Sequence, residues 1–125
     1  MKYKPLLSSK EGINFKGLTL HEALETAKKE NKPLFVFAHA SWCPTCKQME
    51  KEVLVKKELG DSFNEDLLNV AIDIDSPAGK QLQQSYPIRA TPTLLFFNAD
   101  GSLKKKVEGS ASSDELLAVA ASFKK

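Results

Sequence analysis

Apolar residues along this chain fall into segments whose rhythm alternates between helical and strand-like spacing. Leu20, Ala23, Leu24 and Ala27 recur at i, i+3, i+4 and i+7, on one face of a helix over about Leu20–Glu30. Thr19 and Glu22 have the spacing of a capping box, in which hydroxyl and carboxylate satisfy orphan backbone donors at the helix start. Pro33 cannot extend that helix, and residues 34–38 (Leu-Phe-Val-Phe-Ala) form an apolar run short enough for a strand buried on both faces. Helix formers return over residues 47–59, with Met49, Val53 and Leu54 on one side and Gly60 as the expected stop. Residues 68–74 read as a strand with Val70, Ile72 and Ile74 on one face, and Pro77 suits the first turn of a short helix reaching about Gln84. Residues 93–97 are another buried-type strand, which the turn Asn98-Ala99-Asp100-Gly101 folds back into a partner over residues 103–108. Ser112 and Glu115 repeat the capping-box spacing ahead of Leu116, Leu117, Val119, Ala120 and Phe123, which predicts a closing amphipathic helix.

This βαβαβα order predicts an α/β fold, and 125 residues suit one domain over 1–125 with a polar lead-in at 1–17. With 42% hydrophobic and 27% charged residues the chain has the means to build a core. Its net charge of +2 comes from lysines and one arginine, Arg89, which argues against a nucleic-acid partner. No apolar run approaches the roughly 18–20 residues a bilayer-spanning helix needs, so no membrane insertion is expected. Residues 1–5 carry positive charge without an apolar stretch behind it, which is not a signal peptide, although a leader removed earlier would leave no trace. Lys104, Lys105 and Lys106 read as protection of an exposed sheet edge.

The candidate chemistry is concentrated in Ser41-Trp42-Cys43-Pro44-Thr45-Cys46-Lys47, between the first apolar strand and the second helix. A helix N-terminus favours an anion, so a thiolate at Cys43 is stabilised there and Cys43 is the expected nucleophile. Cys46, three residues on along the same face, is placed to resolve a mixed disulfide. Pro44 fixes φ and removes a donor, the Thr45 hydroxyl is a candidate stabiliser of the thiolate, and Trp42 is expected to shield the sulfurs and offer a flat surface to a partner.

These residues, from Phe37-Ala38-His39-Ala40 through Cys43 and Cys46 to Lys47, together with Ala90-Thr91-Pro92-Thr93 downstream, resemble the thioredoxin family. The likeness runs from about Leu20 to the C-terminus and implies a central mixed β-sheet with helices on both faces. It implies a cis Thr91-Pro92 bond facing the sulfurs, with exposed backbone for an incoming substrate chain, and a substrate surface of Trp42, Pro44, Thr45, Thr91 and Pro92. It further implies a monomer acting on a disulfide-containing protein and recycled by an upstream thiol reductant, without cofactor or metal. The segment 46–53 and the Lys-rich first helix are similar to soluble domains of bacterial disulfide interchange reductases, which tilts the expected location toward the periplasm or an exported compartment. The resemblance breaks in two respects. Thioredoxin has Gly-Pro between its cysteines where this chain has Pro44-Thr45, and where thioredoxin has a buried Asp paired near a Lys, this chain has Phe37 and Ala71, so water or a partner group is expected to take the Cys46 proton.

Other readings carry less weight. Cys43 and Cys46 with His39 would make a copper-relay set, but structural zinc would need four ligands and His21 and His39 fit no finger spacing. A non-catalytic interaction module is disfavoured by the presence of both sulfurs. His21 and Arg89 are expected to be solvated, and Asp73 and Asp75 to serve a turn.

Overall fold

A computed structural model describes residues 11–124; the segment 1–5 read above as no signal peptide, and most of the lead-in, lie outside the described residues. The elements are α1 (Leu20–Glu30), β1 (Leu34–His39), α2 (Pro44–Glu52), α3 (Lys57–Asp66), β2 (Leu68–Asp73), α4 (Pro77–Ser85), β3 (Thr93–Phe97), β4 (Leu103–Glu108) and α5 (Ser113–Ala121). Both expected capping boxes are formed, at Thr19 with Glu22 and at Ser112 with Glu115. Ser76 caps α4 by accepting from the Gly79 N–H, and Pro77 occupies its first position, where a missing N–H costs nothing.

The sheet order is β2-β1-β3-β4; β1 runs parallel to β2 and antiparallel to β3, which pairs antiparallel with β4. A period of two sends alternate side chains to opposite layers. Leu34, Val36 and Ala38 of β1 join α1 and α4 on one side through Leu20, Ala23, Ala27 and Leu82. Phe35 and Phe37 face the other side, against α2, α3 and α5 through Met49, Leu59, Phe63 and Leu116. Phe35 is clasped there by rings: Phe96 stacks at 4.8 Å, and Phe63 meets it edge-on at 5.3 Å. This is the mixed sheet with helices on both faces expected of the thioredoxin-like α/β class.

Three boundaries differ from the sequence reading. The single helix expected over 47–59 is two, α2 and α3, separated by a turn at Val53–Val55, and Gly60 lies inside α3 rather than ending a helix. The reason is a long-range contact: a Cβ at Gly60 would run into the backbone carbonyls of Glu11 and Gly12. The glycine permits a close backbone crossing and does not terminate anything. Strand β2 ends at Asp73, and the Ile74 N–H instead donates to the His39 carbonyl at 2.8 Å, tying the ends of β1 and β2 together. The described part of the lead-in is not merely polar: Ile13 and Phe15 are core residues, and Lys16 makes a parallel bridge to Val70 beside β2.

Strand β4 is the exposed edge, as its lysines anticipate. Lys104 folds over the Phe123 ring and donates to the Ser122 carbonyl, while Lys106 donates to the Pro87 carbonyl.

Candidate active site

Strand β1 delivers the chain to the start of α2, and the site is assembled there. Cys43 is the N-cap of α2, in extended backbone with φ −99° and ψ 106°, and its sulfur accepts a hydrogen bond from the Cys46 N–H at 3.0 Å. The sulfur thus takes the place an N-cap oxygen normally fills, over donors that the helix itself leaves unsatisfied. Pro44 occupies the first helical position, so the donor it lacks is one the helix start could spare. Thr45 contributes its main-chain N–H and Cys46 both its N–H and its thiol; the Thr45 hydroxyl singled out above makes no such bond among the interactions described.

The two sulfurs differ sharply in their surroundings. Burial pushes the Cys43 thiol up, but hydrogen bonds from the Cys46 thiol, the Thr91 side chain and the N–H groups of Cys46 and Thr45 outweigh it, and the net shift is downward. Cys46 is pushed up to about 11, first by burial and then by its hydrogen bond to Cys43 and the repulsion of a neighbouring thiolate. Both thiols are free, so this is the dithiol form. Cys43 retains only 4% of its surface and Cys46 none, so the leading sulfur is reached through a narrow opening.

Opposite the sulfurs lies the loop before β3. Thr91-Pro92 is cis, as the resemblance implies. The Thr91 carbonyl lies 3.5 Å from the Cys43 sulfur and accepts its S–H, and the Thr93 hydroxyl fixes the turn by donating to the Ala90 carbonyl at 2.6 Å. The Pro92 carbonyl accepts from the Gly109 N–H beyond β4. The structure therefore brings Cys43, Cys46 and Thr91 into direct contact, with Pro44 and Thr45 in the first turn of α2 and Pro92 adjoining Thr91.

Trp42 stands away from the core, 63% exposed, and its indole N–H donates to Asp75 at 2.8 Å. Asp73 serves the turn as expected, its carboxylate accepting from the Asp75 N–H at 2.9 Å, but Asp75 reaches across to the residue before Cys43. That link, between positions 33 apart in the chain, has no sequence signature and corrects the reading of Asp75 as a turn residue alone.

His39 does not join the sulfurs in a ligand set. Its ring stacks on Phe37 at 5.4 Å, burial pulls its pKa down against the pull of Asp73, and Lys47 lowers it further. Among the described residues no group of three or more His, Cys, Asp or Glu side chains is arranged to hold a metal ion. Arg89 is solvated, with Glu108 3.5 Å away, and His21 is likewise exposed beside Glu25. Phe37 and Ala71, the positions without an acid or a base, are register partners on β1 and β2. A half-buried carboxyl does occur on α2: burial holds Glu50 above the usual carboxylate range, against the opposing pull of Lys47. Its spacing four residues after Cys46 was available as a signal in the sequence.

Fold and site together define a thioredoxin-like domain that carries a pair of thiols at the start of a helix. A family profile described as a thioredoxin-like domain matches residues 20–124, and the chain belongs to that family. It is 32% identical over 99 residues to a thiol:disulfide interchange protein DsbD of Photorhabdus laumondii, a match covering 74% of this chain but 17% of the relative's length. Among solved structures, a putative disulphide-isomerase of Bacteroides thetaiotaomicron is 34% identical with a TM-score of 0.76, over 91% of this chain and 94% of the other. The C-terminal domain of Neisseria meningitidis DsbD, in oxidised form, shares the fold at 24% identity with a TM-score of 0.68, over 84% and 93% of the two chains.

Proposed function

We propose that this chain reduces disulfides in protein partners, with Cys43 as nucleophile and Cys46 as resolving thiol. The observation that carries the reading is the Cys43 sulfur seated at the start of α2, 3.0 Å from the Cys46 N–H. There the thiolate is stabilised while its neighbour is held protonated.

The steps balance as follows. The Cys43 thiolate attacks one sulfur of the partner disulfide, forming a mixed disulfide and releasing the partner's other sulfur as a thiolate, which takes up a proton. Cys46 then loses its proton to water or to a group brought by the partner and attacks the Cys43 sulfur. The Cys43–Cys46 disulfide closes, and the partner departs as a dithiol with two electrons gained. An upstream thiol reductant returns those two electrons to the chain. The partner's backbone lies along Thr91 and Pro92, with Trp42, Pro44 and Thr45 forming the opposite border of the opening. The chain acts as a monomer, and the likeness to disulfide interchange proteins supports an exported, periplasm-type location over a cytoplasmic one.

Turnover of insulin disulfides with dithiothreitol as electron source tests the reading. Activity that disappears in C43S supports it; a wild-type chain without activity, or a C43S variant that retains it, would overturn it.

A further inference from the structure

Residues 86–92 carry the chain from the end of α4 to β3, and Thr91, whose carbonyl lies 3.5 Å from the Cys43 sulfur, belongs to this segment. It forms neither helix nor strand, so what fixes it comes from its neighbours. Strand β4 supplies much of that hold. Lys106 and Glu108 stand two residues apart on one face of β4, opposite Leu95 and Thr93 of β3. The Lys106 ammonium donates to the Pro87 carbonyl at 3.3 Å and pairs with Glu108 at 3.4 Å, and the same Glu108 oxygen lies 3.5 Å from the Arg89 guanidinium. The Thr93 hydroxyl donates to the Ala90 carbonyl and the Gly109 N–H to the Pro92 carbonyl. Contacts thus land at residues 87, 89, 90 and 92, on both sides of Thr91.

An ion pair in open water contributes little. The Lys106 and Glu108 side chains are only 29% and 36% exposed, against 69% and 67% for Lys57 and Asp61 on α3, so their attraction is less screened. Lys106 adds a charge-assisted bond to a main-chain carbonyl, which protection of a sheet edge does not require.

We propose that Lys106 and Glu108 are positioning residues for exchange with protein disulfides: with Arg89 they form a clasp that holds segment 87–92 as a preformed strip for the partner's backbone, without touching the reacting sulfurs. The inference rests on the thiol–disulfide reading above. A strip already held in place loses less freedom when a polypeptide seats along it, so the benefit goes to polypeptide disulfides. A small disulfide that meets only the Cys43 sulfur gains nothing from it.

The test uses the full chain with K106M, E108V, K106M/E108V and K106R, against insulin and against a small aromatic disulfide. K106M and E108V should each raise KM for insulin about twofold to fivefold with little change in kcat, the pattern of lost docking. The two variants move the net charge in opposite directions, so a direct attraction between the surface and the substrate would shift KM oppositely, whereas a broken clasp shifts it the same way. The double variant should lose little more than either single one, because both break one network. K106R, which keeps the cation and its donors, should restore most of the insulin KM, and the small disulfide should react at the wild-type rate throughout. Amide hydrogen exchange reads the clasp directly: residues 86–92 should exchange about threefold faster or more in K106M and E108V, with the urea midpoint unchanged. Unchanged exchange in that segment, KM shifts of opposite sign, additive losses in the double variant, or an equal loss toward the small disulfide would each overturn the proposal. If the wild-type chain exchanges no disulfide at all, the functional reading fails, while the hydrogen-exchange arm still decides whether Lys106 and Glu108 hold the segment.

Discussion

Phe37 of β1 and Ala71 of β2 stand opposite each other across the parallel pair, where thioredoxin carries a buried acid near a lysine. Phe37 is fully buried, 5.9 Å from the Phe15 ring and stacked on His39. The space of a proton-transfer group is here filled by packing, in keeping with the proposal that water or a partner group takes the Cys46 proton.

Placing an acid there has a calculable consequence. F37D removes a buried ring, a change of the kind that costs roughly 3–5 kcal/mol, and adds a carboxyl that burial will hold protonated. A drop of at least about 3 kcal/mol in urea unfolding is expected. In whatever fraction remains folded, the Cys46 thiol pKa and the turnover should both change; if neither moves, position 37 is not where the acid is missing.

The division of labour between the sulfurs predicts an asymmetry between their variants. C46S keeps the nucleophile but cannot resolve, so it should accumulate a mixed disulfide with a partner, visible by mass spectrometry and released by dithiothreitol. C43S should accumulate none. Equal trapping by both variants would contradict the assignment.

His39 ties stability to pH. Burial lowers its folded pKa from 6.5, so as pH falls the unfolded chain takes the proton first. Stability should therefore rise with pH through the window below 6.5, and decline on acidification toward the lowered folded value. H39Q should flatten that dependence in urea midpoints measured between pH 7.5 and 5. The groups acting on the ring are Asp73, which opposes the shift, and Lys47, which adds to it. A wild-type slope unchanged in H39Q would show that other groups carry the effect.

Much of this architecture is legible in the sequence wherever the deciding interactions are local. The Thr19 and Ser112 caps each find their partner three residues away, and the apolar run around Phe35 needs only its own length and flanking Pro33 to be read as a strand. The Cys43–Cys46 spacing likewise carries its geometry with it, since cap and third helical residue are joined by a single bond. What stays hidden depends on segments far apart in the chain. Gly60 looks like a helix stop until the Glu11–Gly12 backbone crosses it, and Asp75 looks like a turn residue until Trp42 is found on its carboxylate. Ile13 and Phe15 read as part of a polar leader because their burial depends on α2, α3 and the sheet.

Gly60 gives a direct test of that crossing. In an exposed helix interior, Gly→Ala stabilises by up to about 1 kcal/mol. Here the added methyl meets backbone that has no side-chain freedom to yield, so G60A should instead destabilise by about 1–3 kcal/mol. A stabilised G60A would mean the two segments do not meet.

The central claim is that the start of α2 sets the two thiols apart, and titration measures it most directly. The thiolate absorbance near 240 nm, followed against pH in the reduced wild type and in C46S, should show Cys43 ionising below the ordinary thiol value, with Cys46 in the wild type following near 11. Iodoacetamide at neutral pH should accordingly alkylate Cys43 and spare Cys46. Two thiols titrating together at the ordinary value, or alkylated at equal rates, would contradict the account.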